Sequence, residues 1–298
     1  MDIVQEQDTA FQEAPPRLKE WLRFRRVFFQ RKLVLFGLCV LFLVLVCGIF
    51  SEWLAPNDPY IGVMSESLQQ PSWQHLLGTD LQGRDTLSRL IFGARTALIV
   101  GFITVAIAAV VGIILGLTAG YFGGIVNMII MRFMDALMGF PMLLLALLLA
   151  AVLGGGLQNV IIALSIATLP GYARVMHGLT LSIRENDYVM AETSIGVPTW
   201  RIMFQHVLPN GLPPMIVLIT LQLGSVILAE AALSFLGIGI KPPGAAWGSM
   251  VNDGYKYMTT NVVLSTAPGL AIMLTVFAFN MVGDGVRDAL DPRLRGIL

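Results

Sequence analysis

Six stretches of roughly twenty apolar residues, each bounded by charge or by a Gly/Pro turn, leave this chain few ways to fold. They cover residues 33–51, 95–119, 127–153, 158–182, 209–236 and 262–284. A helix needs about 20 such residues to cross the hydrocarbon layer, where every backbone group must find its hydrogen bond within the protein. The sequence therefore predicts an all-α polytopic membrane protein with six transmembrane helices. Composition agrees: only 13% of the 298 residues are charged and 56% are hydrophobic, whereas soluble domains carry about 25% charge. Formal net charge is zero, so bulk charge selects neither nucleic acid nor acidic ligands.

About 32 polar residues precede the first apolar run, and no small-residue cleavage site follows it, so it reads as an anchor that is kept. Cys39 and Cys47 lie eight apart in that run. Eight residues of helix separate them by about 12 Å, too far for a disulfide, so they read as small lipid-buried hydrophobes. Of the 19 Lys and Arg, fourteen fall on the side of the two termini and five on the other, which places both termini in the cytoplasm. Residues 17–32 mix cations with Trp21, Phe24, Phe28 and Phe29, the pattern of an interfacial amphipathic helix on the anionic leaflet. Its near partner is membrane lipid, not nucleic acid. Residues 1–16 have the composition of a disordered tail.

The expected organisation is a cytoplasmic tail over 1–32, an anchor helix over 33–51, an outer loop over 52–94, a five-helix core over 95–284 and a cytoplasmic tail over 285–298. Within the core, 183–208 is an inner loop and 237–261 a second outer loop. The turn Gly120-Tyr121-Phe122-Gly123-Gly124 joins the second and third spans as an antiparallel hairpin.

No phosphate-cradling GxxxxGK[ST], HExxH or GxSxG occurs, and His75, His177 and His206 are far apart. No catalytic residue, cofactor site or metal site is expected in this chain. The inner loop is more informative. Asn186 and Asp187 are suited to cap a short helix, and Gly196 with Pro198 to end it. A compact, well-ended helix can carry rigid-body motion into the flanking spans; the plainer reading is a solvated loop. Glu230 lies inside the fifth span and must face the bundle or water, either as a pathway residue or as a polar group tying helices together. Arg132 and Asp135, at i and i+3, are expected to pair on the third span. Asp284, Arg287, Asp288, Asp291 and Arg293 suggest an ionic cluster at the inner end of the sixth. Trp247 reads as an interfacial anchor.

Several segments together carry a family resemblance: LAPNDP at 54–59, HLLGTD at 75–80, GRD at 83–85, GAR at 93–95, AGYFGG at 119–124 and Met131-Arg132 with Asp135. Further on stand EAALSFLG at 230–237, Pro242-Pro243, Trp247-Gly248 and GDGVRDALDP at 283–292. In this order around six spans, the chain resembles a permease subunit of ATP-binding-cassette (ABC) importers. The resemblance is to the second permease of the dipeptide, oligopeptide and nickel branch, and it covers residues from about Leu54 to Arg295.

The resemblance implies a type I importer permease fold in a bacterial inner membrane. It also implies a paralogous permease, two ABC ATPase subunits and a periplasmic or lipid-anchored binding protein as partners. ATP and Mg would be handled in the ATPase subunits. In such permeases Glu-Ala-Ala, three residues, then Gly marks a coupling helix seated on the ATPase. Here Gly196 and Pro209 keep the interval, while Met190-Ala191-Glu192 replaces Glu-Ala-Ala, with Glu192 departing from a small residue. The coupling residues expected on this basis are Asp187, Tyr188, Met190, Ala191, Glu192, Gly196, Val197 and Arg201. Asp80, Arg84 and Asp85 are candidates for docking the binding protein, or for a self-packed lid. Cargo is expected to be a short peptide or related small solute. The rival is a proton-coupled secondary transporter with Glu230 as its relay.

Overall fold

A computed structural model describes residues 25–290. The first span, Lys32–Ile49, is apolar all round and packs on the second and sixth spans, leaving most of its surface for lipid. Residues 25–30, at the end of the expected interfacial helix, are helical, with Val27 and Phe28 buried; its earlier part and the 1–16 tail lie outside the described residues.

The second span, Thr86–Phe122, has 37 residues and begins well before residue 95, where hydropathy alone would start it. At 1.5 Å per residue it is about 55 Å long, well beyond the ~30 Å hydrocarbon layer. Its first turns, carrying Arg89 and Arg95, therefore rise into the outer segment, and the outer loop closes at Asp85 instead of 94. Asp85 is the N-cap, its carboxylate accepting from the Ser88 N–H (2.8 Å) and hydroxyl (2.7 Å). The helix ends at Gly123, whose φ of +65° suits glycine.

The third span is not the continuous helix expected over 127–153. It runs Gly124–Met138, breaks, and resumes as Met142–Leu153 with the two pieces bent by 91°. Pro141 is the cause: it has no N–H to give and disfavours helical geometry in the residue before it. The fourth span, Leu157–Arg184, instead carries Pro170 inside an unbroken helix.

Second and fourth spans make the most extensive helix pairing. Gly112, Gly116 and Gly120, four residues apart on one face, let the backbones close up. A Cβ on Gly116 would lie 2.3 Å from the Ala173 carbonyl oxygen, and one on Gly120 2.7 Å from the Thr180 Cβ. Small residues at this spacing are how helices associate where lipid removes the hydrophobic driving force. Tyr172, Met176 and Leu117 fill the space beside them.

After the inner segment the chain re-enters as Thr199–Phe235, the fifth span, whose first turns include a π-helical stretch, Ile202–Val207. Pro209 follows at once. It cannot bond the carbonyl four residues back and its ring crowds that group, so a widened turn falls where an α-turn would be strained. Pro213 and Pro214 lie within the same helix. The second outer segment contains a helix, Trp247–Tyr255, and the sixth span, Val263–Leu290, continues past the expected 284.

Candidate functional site

The inner segment folds as expected in outline: an eight-residue helix, Asp187–Ser194. Asn186 is its N-cap residue, but it makes no side-chain cap bond, so the expected capping by Asn186 is not seen. Asp187 in the first turn still complements the helix dipole. The other end is closed tightly. Gly196 has φ +79°; its N–H donates to the Thr193 carbonyl (3.2 Å), and the Val197 N–H to the Glu192 carbonyl (3.0 Å). Those two bonds are the Schellman closure, and Pro198 then starts the next helix.

One side chain anchors this helix from below: Val189 is 1% exposed. Two polar ties join it to the fifth span. The Glu192 carboxylate meets His206 Nε2 at 3.2 Å, and the Asn210 side-chain amide donates to the Tyr188 hydroxyl at 3.2 Å. His206 lies in the π-helical stretch, so Glu192, the sequence's departure from a small residue, reaches back to the start of the fifth span. Exposed apolar side chains lie on the helix and just beyond it: Tyr188, Met190, Ile195 and Trp200, Ile195 to 79%. Asp187, Ala191, Gly196 and Arg201 are exposed too, while Val197 is partly buried. A clustered apolar patch on an otherwise polar segment marks a protein-contact surface. Ile195, Trp200, His206 and Asn210 were not among the expected residues. Ile195 and Trp200 carried a readable signal, as large hydrophobes in a polar loop; the His206 tie depends on tertiary contact.

In the segment before the second span Asp80, Arg84 and Asp85 are turned into the protein. Arg84 Nε donates to Asp80 Oδ2 at 2.7 Å, and its backbone N–H to Asp80 Oδ1 at 3.0 Å. Asp85 caps the second span and bonds His75 Nδ1 at 2.9 Å. Arg89, buried, donates to the Pro59 carbonyl at 3.0 Å. The Thr79 hydroxyl donates to the Glu66 carbonyl. Of the two expectations for these residues, this geometry favours the self-packed lid: Asp80 and Arg84 satisfy each other, and Asp85 is satisfied by Ser88 and His75.

Two family models match the chain. "Binding-protein-dependent transport system inner membrane component" matches residues 112–296, and "N-terminal TM domain of oligopeptide transport permease C" residues 19–77. The chain belongs to the binding-protein-dependent permease family. A di/tripeptide transport system permease of Pseudomonas aeruginosa is 43% identical to it over 287 residues, 94% of each chain. A probable D,D-dipeptide transport system permease of Escherichia coli is 41% identical, covering 86% of each. A glutathione transport system permease of Pectobacterium atrosepticum is 40% identical over 92% of this chain and 90% of its own. Two structures of the MetNI methionine ABC transporter in inward-facing conformations share the fold. Their TM-scores are 0.55 and 0.56 at 19% and 20% identity, over 68% and 69% of this chain and 96% and 97% of theirs. The permease is a transport subunit of an ATP-driven importer, not an enzyme. It is a multi-pass inner-membrane protein of the second-permease, dipeptide/oligopeptide branch, with a type I fold, and it acts with other ABC components. The relatives give the proton-coupled alternative no support.

The remaining polar residues of the permease fall into place in the bundle. Glu230 is 2% exposed and accepts from the Ser234 hydroxyl at 2.7 Å, while Ser234 Oγ accepts from the Ile240 N–H at 3.2 Å. It ties the end of the fifth span to the chain that follows, inside the bundle. Trp247 is not an interfacial anchor: it is 3% exposed, donates from Nε1 to the Leu90 carbonyl at 2.9 Å, and lies where a Cβ on Gly93 would be, 2.4 Å from its Cδ1. The absent side chain of Gly93 is what admits the ring. Asp135 does not pair with Arg132; its partner is Arg174 of the fourth span. At the start of the first span Arg31 pairs with Asp288 of the sixth at 2.7 Å, bringing the two together. Asp291 and Arg293 of the expected cluster lie outside the described residues.

Proposed function

We propose that this permease forms, with a paralogous permease, the pathway by which short peptides enter the cell, and that Asp187–Ser194 is its coupling helix. The observation that carries this reading is the build of that helix. It is closed by a Schellman turn at Gly196, pinned by Val189, tied to the fifth span through Glu192–His206, and carries Met190 exposed, with Ile195 and Trp200 exposed just past its end. A rigid lever with an uncovered apolar surface at the inner side suits docking on an ATPase. Met190, Ile195 and Trp200 would supply that contact. ATP binding and hydrolysis, with Mg, would belong to two ABC ATPase subunits. Their closure, passed through this helix, would switch the pathway between outward and inward access.

The excess of Lys and Arg on the side of the termini supports a cytoplasmic position for both, and hence for the coupling helix. A binding protein, periplasmic or lipid-anchored, would deliver the cargo. The names of the relatives, which carry di/tripeptides, D,D-dipeptides and glutathione, support a short peptide as that cargo. The docking surface for the binding protein would lie on the outer segments but not on the charges of Asp80, Arg84 and Asp85.

Mild-detergent purification of the tagged chain from its own cells tests the assembly. A second permease of similar size with one or two ATPases is the expected yield, and the thiol of Met190→Cys should be shielded while the ATPases are bound. A chain that purifies alone, or a thiol equally reactive with and without ATPase, would overturn the coupling assignment.

A further inference from the structure

Resting on the peptide-import reading, we propose that Asp135 and Arg174 line the translocation pathway and form a subsite for a zwitterionic solute, Arg174 facing its carboxylate and Asp135 its ammonium group. The depth of the pair comes first. Arg174 stands ten residues before the inner end of the fourth span at Arg184, and Asp135 eleven residues into the helix that starts at Gly124. At 1.5 Å per residue both lie about 15–17 Å from the inner helix ends, and because the fourth span is about 42 Å long for a ~30 Å layer, overhanging it by no more than about 12 Å, Arg174 lies at least about 3 Å inside the apolar layer. Yet their side chains are 51% and 48% exposed on this subunit. Charges so placed cannot face lipid; they face protein or a water-filled path.

A second, independent feature points the same way. The break of the third span follows at once, and Gly139, Phe140 and Pro141 are all exposed. Backbone that leaves the helical ladder at this depth is tolerated only against protein or beside water. The surface around Arg174 also has room. Gly171 and Gly178, one turn to either side on the same helix face, have nothing within 4 Å of where a Cβ would be. Within this subunit no side chain fills that face, and the ion pair lies at its centre.

The pair is neutral as a whole, and so is a zwitterionic peptide. Such a solute can exchange with it charge for charge: Arg174 lets go of Asp135 and takes the carboxylate while Asp135 takes the ammonium, leaving no charge unpaired at low dielectric. A peptide capped at one end would strand either Arg174 or Asp135, and stranding a charge away from water is the costly outcome. Recognition of this kind needs no side-chain pocket and so suits a carrier of peptides of varied sequence.

The test uses the complete importer in proteoliposomes, with the binding protein saturated by each peptide so that the turnover number reports the permease. A dipeptide is compared with its C-terminal amide and its N-acetyl form. The wild type should turn over each capped form about tenfold or more slower. Arg174→Gln should lose the discrimination against the amide alone, and Asp135→Asn that against the acetyl form alone. Variants that slow all three peptides alike would show a merely structural pair and overturn the proposal, as would variants with unchanged discrimination. Position is read separately, in protein with Cys39 and Cys47 replaced by Ala. The thiol of Gly178→Cys should react with a charged, membrane-impermeant reagent about tenfold faster than that of the lipid-facing Phe42→Cys. Equal rates would overturn the proposal. A wild type that imports no peptide while Gly178→Cys still reacts would sink the cargo reading and keep the pathway position.

Discussion

Gly196 is the residue at which the coupling role can be tested most cleanly, because only one physical term changes there. Its φ is +79°, and a Cβ would meet nothing within 4 Å. A side chain at this position therefore costs backbone strain without a clash. Holding an L-residue in the left-handed region costs roughly 1–2 kcal/mol, which shifts the ratio of closed to open turns by about 5- to 30-fold. Opening the turn breaks the bonds from Gly196 N–H to Thr193 and from Val197 N–H to Glu192, and so loosens the residue that reaches His206. Asn tolerates positive φ and should lose least, Ala more, and Val most, since branching at Cβ makes that backbone region worst. The assay is solute imported per ATP hydrolysed in proteoliposomes, with the amount of inserted permease as the control. Coupling should fall in the order Gly, Asn, Ala, Val while insertion stays constant. A Val variant as well coupled as the wild type, or an Asn variant worse than Val, would refute the reasoning.

Other sites give sharper contrasts between conservative and disruptive changes. Glu192→Gln keeps an acceptor for His206 Nε2 and should couple better than Glu192→Ala; equal coupling would mean that the 3.2 Å contact transmits nothing. Gly116→Val puts its Cβ 2.3 Å from the Ala173 carbonyl oxygen, so the second and fourth spans must separate. Overpacking of this order costs about 1–3 kcal/mol, seen as a lower melting temperature in detergent, whereas Gly178→Ala, in open space, should melt like the wild type. Glu230→Gln retains a partner for the Ser234 hydroxyl and should be milder in folding yield than Glu230→Leu; equal damage would show that the charge itself is required. Arg84→Ala should lower stability by about 1–3 kcal/mol, since Asp80 loses one guanidinium but keeps Arg89 at 3.5 Å, while the surviving protein keeps its affinity for the binding protein; a selective loss of that affinity would restore Arg84 as a docking residue.

The number and order of the spans were legible because the bilayer imposes one demand on every span, and that demand is written as length and apolarity. Where a charge interrupts the run, the same signal misleads. Arg89 made the start of the second span look like loop, yet Arg89 is buried beneath the outer segment and bonded to Pro59 there. The break at Pro141 was visible as a residue but not as a 91° turn, since Pro170 in the fourth span leaves its helix unbroken. A proline shows only that one donor is missing; whether the chain bends depends on what surrounds it. The glycines at 112, 116 and 120 did carry a readable period, and the structure shows that it serves the most extensive helix pairing among the described residues.

Polar side chains were legible by kind and not by partner, for a reason that Asp135 makes plain. Local geometry offers it Arg132, three residues away on the same helix, and sequence spacing can see no other cation. An exposed pair along one helix is worth only about 0.2–0.5 kcal/mol, too little to dictate the choice. Arg174, some forty residues later, competes from a neighbouring helix that the glycine face of the second span and the hairpin at Gly123 bring into register. The outer segment obeys the same logic. Asp80, Arg84 and Asp85 form a charged sequence that looks made for a partner, but a strap lying over an apolar bundle must satisfy its own backbone and charges first. The Asp85 cap on the second span, with His75 and Ser88 around it, does so within the chain. The helix Asp187–Ser194 has its C-terminal end closed and apolar residues left over. What a segment cannot satisfy within its own subunit is therefore a better guide to its partner than the charge it carries in sequence, and by that measure the exposed Ile195 and Trp200 mark a free surface of this permease.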